Sequence, residues 1–277
     1  MNKILWLVNP ITFVESDLEY PQYISSLNNS RLTVLLLDEY KLQPLMVVSN
    51  DPMFPTVEYR IPTLDIPDNQ SVLFEEGKQR ILKSTQEKNI SLVIHDGTGD
   101  AGNDIVVESM FSDLILVKST MSFNFADTNS PSDFLLHILP KVECPVLILP
   151  DEVQSIDEVV FTYNGSYSSI YAIRQFTYLF PQLSNVPVTV LYVAEEEGEI
   201  KHQQQLKELL YQHYENISFK ILQGDPVTAI QNELISRKNI VASFGALGRN
   251  KLSNFFKKSN ADNIVNKLHI PLFITHP

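Results

Sequence analysis

Two stretches decide the fold: Cys144-Pro145-Val146-Leu147-Ile148-Leu149-Pro150 in the middle of the chain, and Ile270-Pro271-Leu272-Phe273-Ile274-Thr275 at its end. Their prolines lie 126 residues apart, and Asp113-Leu114-Ile115-Leu116-Val117 matches Asn239-Ile240-Val241-Ala242-Ser243 at the same displacement. Each half also opens on a β-rich run that ends at an asparagine: Ile4 to Val8 before Asn9, and Val159 to Tyr163 before Asn164. Self-similarity at a fixed offset marks a repeated fold. The pattern predicts two copies, residues 1–150 and 151–277. The first is longer, and its surplus falls in the proline-rich stretch Leu42 to Asn69, which reads as a loop insertion.

The second copy shows the element order most clearly. Apolar runs at Val159–Tyr163, Val188–Val193, Phe219–Leu222, Ile240–Phe244 and Leu272–Thr275 suit parallel strands buried on both faces. Between them, Ile170, Ile173, Thr177 and Phe180 share one helical face, and so do Val227, Ile230 and Leu234. Asp225-Pro226 reads as an N-cap followed by proline in the first turn. The polar segment Glu195 to Glu215 reads as a solvated helix with Leu206, Leu209 and Leu210 inward, and Ile264, Val265 and Leu268 as a short final helix. In the first copy the corresponding strands are 4–8, 32–37, 91–95, 113–117 and 145–149. The fold class is therefore α/β, with two tandem five-stranded parallel sheets covered by helices on both faces. The last strands of the copies, Val146–Leu149 and Leu272–Ile274, are short apolar edges. An open edge invites pairing, so the copies are expected to join through these strands as an intramolecular pseudo-dimer, with pairing between separate chains as the alternative.

Composition narrows the function. The 277 residues carry 33 acids against 21 Lys+Arg, a net charge of −12, which argues against nucleic acid and against an anionic membrane. The opening apolar run is too short for a signal peptide, and no run is long enough to span a bilayer. The one cysteine, Cys144, excludes an intrachain disulfide and fits a reducing compartment, so the expected location is cytoplasmic.

In sheets of this class ligands bind beyond the carboxyl ends of the strands, where the strand order reverses. In the second copy the segments there read Tyr163-Asn164-Gly165-Ser166 and Phe244-Gly245-Ala246-Leu247-Gly248, followed later by Phe256-Lys257-Lys258-Ser259-Asn260. Gly245 and Gly248 let the backbone come close to a guest, and Ser259 and Asn260 mark a helix start that favours an anion. Residues 1–150 hold 20 acids and 10 bases, whereas residues 151–277 hold 13 and 11. Between Leu234 and Ala261 there is no acid, while six Lys and Arg fall there. A basic loop in an acidic chain suits a polyphosphate. Equally, those cations form a solvated rim and Ser259 merely caps a helix.

The spacing Gly245-x-x-Gly248, nine further residues, a small residue and then Ser259 resembles the nucleotide signature of the universal stress protein family. Asn164-Gly165-Ser166 is similar to the Asp-Gly-Ser of that family, and Gly224-Asp225-Pro226 and the Pro-Leu-Phe-Ile terminus also resemble it. The likeness is good over residues 156–277; residues 1–150 match only in element order and last strands, so the whole resembles a tandem member with a degenerate first domain. The resemblance implies a five-stranded fold that binds ATP or AMP in some members and not in others. It would set adenine and ribose against Thr162, Tyr163, Asn164 and Val193. Phosphates would sit on Gly245, Gly248, Ser259 and Asn260, with Phe244 at the strand end. Two positions depart from the family. Asn164 keeps an acceptor but loses the acid's charge, and Lys258 stands where a glycine belongs, either filling the phosphate space or binding a phosphate. The first copy has Lys118-Ser119-Thr120-Met121-Ser122 after its fourth strand, with no glycine pair, and no nucleotide is expected there.

Other constellations are weaker. Asp96-Gly97-Thr98-Gly99-Asp100-Ala101-Gly102-Asn103-Asp104 is like half a calcium loop but has Ala101 at the required glycine and Val107 at the closing acid. It reads instead as a turn in which Asp100 or Asn103 caps a helix. A receiver-domain reading of Asp96 fails because Asn9-Pro10 replaces the acidic pair. The six histidines show no metal spacing, and no metal is expected. No Gly-x-Ser-x-Gly elbow or Gly-Lys-Ser/Thr loop occurs. Three functions follow: a non-catalytic stress regulator binding ATP or AMP in its second copy, a tandem protein-interaction module without a nucleotide, or a slow ATPase. For the last, Asp225 and Asp262 are the only acids nearby.

Overall fold

Long apolar runs flanked by turn residues make the strands, and their burial shows why: Ile4 to Val8, Leu114 to Val117 and Ile240 to Phe244 are all buried. A computed structural model describes residues 3–28, 30–38, 45–48, 57–60, 68–123, 130–194, 198–245, 269–275 and 277. The first half contains β1 (Lys3–Val8), α1 (Glu19–Asn28), β2 (Arg31–Leu36), β3 (Leu45–Val48), β4 (Val57–Arg60), α2 (Asp68–Glu87), β5 (Leu92–Asp96), α3 (Ala101–Ser109), β6 (Leu114–Lys118), α4 (Asp133–Ile138) and β7 (Val146–Leu149). The second contains β8 (Glu158–Tyr163), α5 (Tyr167–Leu179), β9 (Val188–Ala194), α6 (Gln203–Tyr211), β10 (Ile217–Gln223), α7 (Pro226–Ile235), β11 (Ile240–Gly245) and β12 (Leu272–Thr275).

Ten of these strands form one sheet in the order β10-β9-β8-β11-β12-β7-β6-β1-β2-β5. Each half is parallel with its strands in the order third, second, first, fourth, fifth, so the order reverses beside the first strand. The halves meet where β12 runs antiparallel to β7, with Leu272 opposite Ile148, Phe273 opposite Leu147 and Ile274 opposite Val146. The two copies thus pair through their last strands, and the register is symmetric about the Leu147–Phe273 pair.

Helices cover both faces. Residues of α1, α2, α5 and α6 pack on one face with Trp6, Phe161 and Phe273. Residues of α3, α4 and α7 pack on the other with Val146, Leu272 and Ile274. Phe273 is fully buried and meets Phe176 edge-on at 5.2 Å and Phe180 at 6.0 Å. Each such ring pair adds about 0.5–1.5 kcal/mol beyond its area, so β12 is held by α5 as well as by β7.

The linker after β7 is tied to both halves. Asp151 lies 3.2 Å from Lys118 Nζ. The backbone N–H groups of Gln154 and Ile156 donate to the hydroxyls of Tyr20 and Tyr23 on α1. Gln154 Oε1 accepts from the backbone N–H of Asn239 in the second half. Burial, opposed by the Gln154 N–H and reinforced by Tyr23, pushes the Tyr20 hydroxyl up to about 12.

Two expectations need correction. The stretch 42–69 is not simply a loop: β3 and β4 form an antiparallel ribbon within it, and α2 starts at Asp68. Leu45-Met46-Val47-Val48 and Val57-Glu58-Tyr59-Arg60 carry ordinary strand patterns that the surrounding prolines obscure. The polar helix is also shorter than 195–215, spanning Gln203–Tyr211 with Leu206 and Leu210 buried. Residues 198–202 before it are non-helical, with Ile200 buried and His202 in the left-handed region at φ 55°. The short final helix read from Ile264, Val265 and Leu268 lies outside the described residues.

Candidate functional site

Six of the ten residues singled out from the sequence come together where the strand order reverses in the second half. Thr162 and Tyr163 end β8, and Asn164 follows them. Val193 sits at the end of β9, and Phe244 and Gly245 end β11. Because β9, β8 and β11 are neighbours in the sheet, these positions share one carboxyl edge. Gly248, Lys258, Ser259 and Asn260 lie outside the described residues, as does Asp262.

The loop after β8 is a locally determined turn. Asn164 is exposed, and its Oδ1 accepts from the Ser166 backbone N–H at 2.9 Å. Gly165 takes φ +79°, which an asparagine side chain bonding two residues ahead sets up and glycine adopts without steric cost. Ser166 then caps α5, its Oγ accepting from the Ser169 N–H at 3.4 Å. A thirteen-residue helix therefore starts at this edge, with its positive end there.

Gly245 has a demanding neighbour. A Cβ there would stand 2.2 Å from Ser168 O and 2.6 Å from Ser169 N, both backbone atoms of the first turn of α5. The glycine is thus required for helix and strand to meet, whatever else approaches it. Thr162 Oγ1 donates to Ser243 O at 2.9 Å, locking β8 to β11 just below. Strand alternation puts Ser243 on the face of Gly245. Among the described residues, the buried hydroxyls of Ser243 and Thr275 find no hydrogen-bond partner, so polar capacity remains beside the start of α5.

The sequence did not signal Lys201. Its backbone carbonyl accepts from the Tyr163 hydroxyl at 2.8 Å, and its side-chain stem lies so close to Gly165 that an added Cβ would meet Lys201 Cβ at 2.9 Å. Burial, with Tyr192 adding to it, raises the Tyr163 hydroxyl above its ordinary value. The segment 198–202 therefore covers part of the strand-one loop.

The remaining candidates are structural. Asp225 accepts from Thr228 N at 3.0 Å and caps α7, with Pro226 in its first turn. Asp100 caps α3 through Asn103 N. Asp104 accepts from the N–H and hydroxyl of Thr98, both at 2.7 Å, and Asp96 pairs with Lys78 at 2.7 Å. The acids of the calcium-like stretch are thus engaged by the turn and its neighbours. Among the described residues, no group of three or more His, Cys, Asp or Glu is arranged to hold a metal ion, and no helix is long and apolar enough to cross a membrane. Cys144 is buried and its thiol is pushed up to about 12 by that burial, with Asp113 adding to it, which suits a packing residue.

The sequence matches no protein-family profile and no curated protein. Solved structures do match. A universal stress protein from Archaeoglobus fulgidus superposes with a TM-score of 0.67 at 15% identity, over 99% of this chain and 96% of its own. A Pseudomonas aeruginosa structure assigned to the universal stress proteins gives 0.57 at 12%, over 100% and 94%. A second P. aeruginosa protein, of unknown function, gives 0.56 at 12%, over 100% and 93%. At such identities the likeness speaks for the fold, and it runs the length of both partners: the chain has the universal stress protein fold in a double, tandem arrangement.

Proposed function

We propose that the chain is a non-catalytic stress-response regulator that binds ATP or AMP in its second domain, residues 151–277, while residues 1–150 form a degenerate domain without a nucleotide. The observation that carries this is the shared carboxyl edge of β9, β8 and β11, which gathers Thr162, Tyr163, Asn164, Val193, Phe244 and Gly245 at the order reversal. The residues fit such a guest: Asn164 is an exposed acceptor suited to a ribose hydroxyl, and the start of α5 and the Ser243 and Thr275 hydroxyls supply polar groups. Gly248, Ser259 and Asn260 would take the phosphates, with Lys258 as a cation beside them. The acid-free run from Ile235 to Ala261 supports that assignment.

A second reading, a tandem interaction module without a nucleotide, is favoured by one observation: Lys201 already covers Gly165 and holds the Tyr163 hydroxyl. Thermal-shift titration with ATP and AMP, alongside mass spectrometry of small molecules released from the purified protein, separates the two. At 100 times the dissociation constant a nucleotide stabilises its host by about 2.7 kcal/mol. No released nucleotide and no shift at millimolar ATP or AMP would leave the interaction module standing.

A further inference from the structure

The outer face of α5 carries Tyr167, Tyr171, Arg174 and Tyr178. At about 100° per residue these four fall within a stripe about 60° wide and about 16 Å long. Tyr167 is 64% exposed and Tyr178 55%. The row consists of two touching pairs: the Tyr167 and Tyr171 rings lie 6.1 Å apart, and the Arg174 guanidinium stands 5.9 Å above the Tyr178 ring. His213 packs edge-on against Tyr178 at 6.0 Å. Scattered exposed aromatics are ordinary, but a Tyr and Arg row has the composition of an interface. The counterpart helix uses its tyrosines differently, since Tyr20 and Tyr23 of α1 hold the linker.

We propose that this stripe docks a second copy of the chain, α5 against antiparallel α5 about a two-fold axis. The stripe is self-complementary, as such an axis demands. A dyad between Tyr171 and Arg174 sets each Arg174 on the partner's Tyr171, and Tyr167 against the partner's Tyr178. The guanidinium is planar with two faces, so one stays over its own Tyr178 while the other meets the incoming ring. Charge selects the same surface. Two chains of net charge −12 repel each other, yet the helix sequence Tyr-Ser-Ser-Ile-Tyr-Ala-Ile-Arg-Gln-Phe-Thr-Tyr-Leu contains no acid and one cation. The row and its flanking His213 make a narrow contact beside the roughly 800 Å² per partner of a standard interface, which suits a weak, transient dimer.

Sedimentation equilibrium of the full chain tests this. The wild type is expected to dimerise in the micromolar range, more tightly as salt screens the net repulsion. Arg174→Glu and Tyr178→Ala should each weaken the dimer at least about tenfold. Both positions are exposed, and thermal melts confirm that the variants fold. A chain that stays monomeric to about 200 µM overturns the proposal. So does a dimer whose constant neither substitution moves, because its contact then lies elsewhere.

Discussion

The two order-reversal edges of this sheet share a topology and differ in what fills them. Both first strands end at an asparagine whose Oδ1 accepts a backbone N–H two residues ahead: Asn9 from Ile11 and Asn164 from Ser166. In the first half that turn is sealed. Asn9 is 6% exposed, its Nδ2 donates to Ser122 O, and Pro10 is pressed against Gly77 of α2. In the second half Asn164 is exposed, and among the described residues the Lys201 stem lies across the adjoining glycine. At the fourth strands, Lys118 and Ser119 stand where the repeat puts Phe244 and Gly245. A duplicated backbone therefore does not duplicate the packing around its turns. Among the described residues, the turn after the first strand is buried in one half and exposed in the other.

The largest effects should come from the glycines. A Cβ on residue 245 would meet backbone atoms of α5 at 2.2–2.6 Å, and backbone cannot swing aside as a side chain can. Gly245→Ala is expected to cost about 3 kcal/mol in urea denaturation. Gly77→Ala would place its Cβ 2.0 Å from Pro10 O. Because alanine improves a helix interior by about 1 kcal/mol, the net loss there should be nearer 2. A neutral Gly77→Ala would show that α2 does not seal the first edge.

The asparagines come next. Asn9→Ala removes a buried acceptor and donor, with the bonds to the Ile11 N–H and from Nδ2 to the Ser122 carbonyl, a loss of about 2 kcal/mol. Asn164→Ala exposes its partner to water and should cost about 0.5 kcal/mol. Under the nucleotide reading it should also weaken ATP binding by calorimetry, which Asn9→Ala should not. Equal stability losses would erase the distinction between the buried turn and the exposed one.

How much of this was legible beforehand follows from the range of each interaction. The inner strands of the main sheet could be read because both-face burial demands continuous apolar runs, whereas the edge strands β5 and β10 are only partly buried, against the expectation for Phe219–Leu222. The pairing of the halves could be read because the repeat marks β7 and β12 as equivalent edges. The caps at Asp100 and Asp225 are local and were equally readable. The ribbon of β3 and β4 was hidden by the prolines around it, which carry the stronger local signal. Gly77 against Pro10, Lys201 over Gly165 and the linker on Tyr20 could not be read at all. Each joins residues far apart in sequence, and no periodicity records such a meeting. For the candidate site, Thr162, Tyr163, Asn164, Val193, Phe244 and Gly245 lie at one edge because they end or follow adjacent strands, while the role of Gly245 in seating α5 is visible only in the packing.

A comparably small effect concerns the cation at the end of β6. Lys118 Nζ lies 3.0 Å from Asp17 and 3.2 Å from Asp151, so it joins the end of β6 to the start of the linker. Burial works against its charge, but the hydrogen bonds and charges of the two acids outweigh that and hold its pKa above the ordinary 10.5. A lysine whose pKa is raised by folding contributes stability in full below its unfolded value, and loses it as pH rises through the folded value. Its side chain is one-third exposed, so screening limits the contribution to below about 1 kcal/mol. Lys118→Gln should lose that amount near neutral pH. Asp17 would still accept from the Val14 N–H, which keeps the loss small. Denaturation curves across the alkaline range should show wild type and variant converging above pH 10.5. A gap that stays constant there would mean that Lys118 holds the linker by packing rather than by charge.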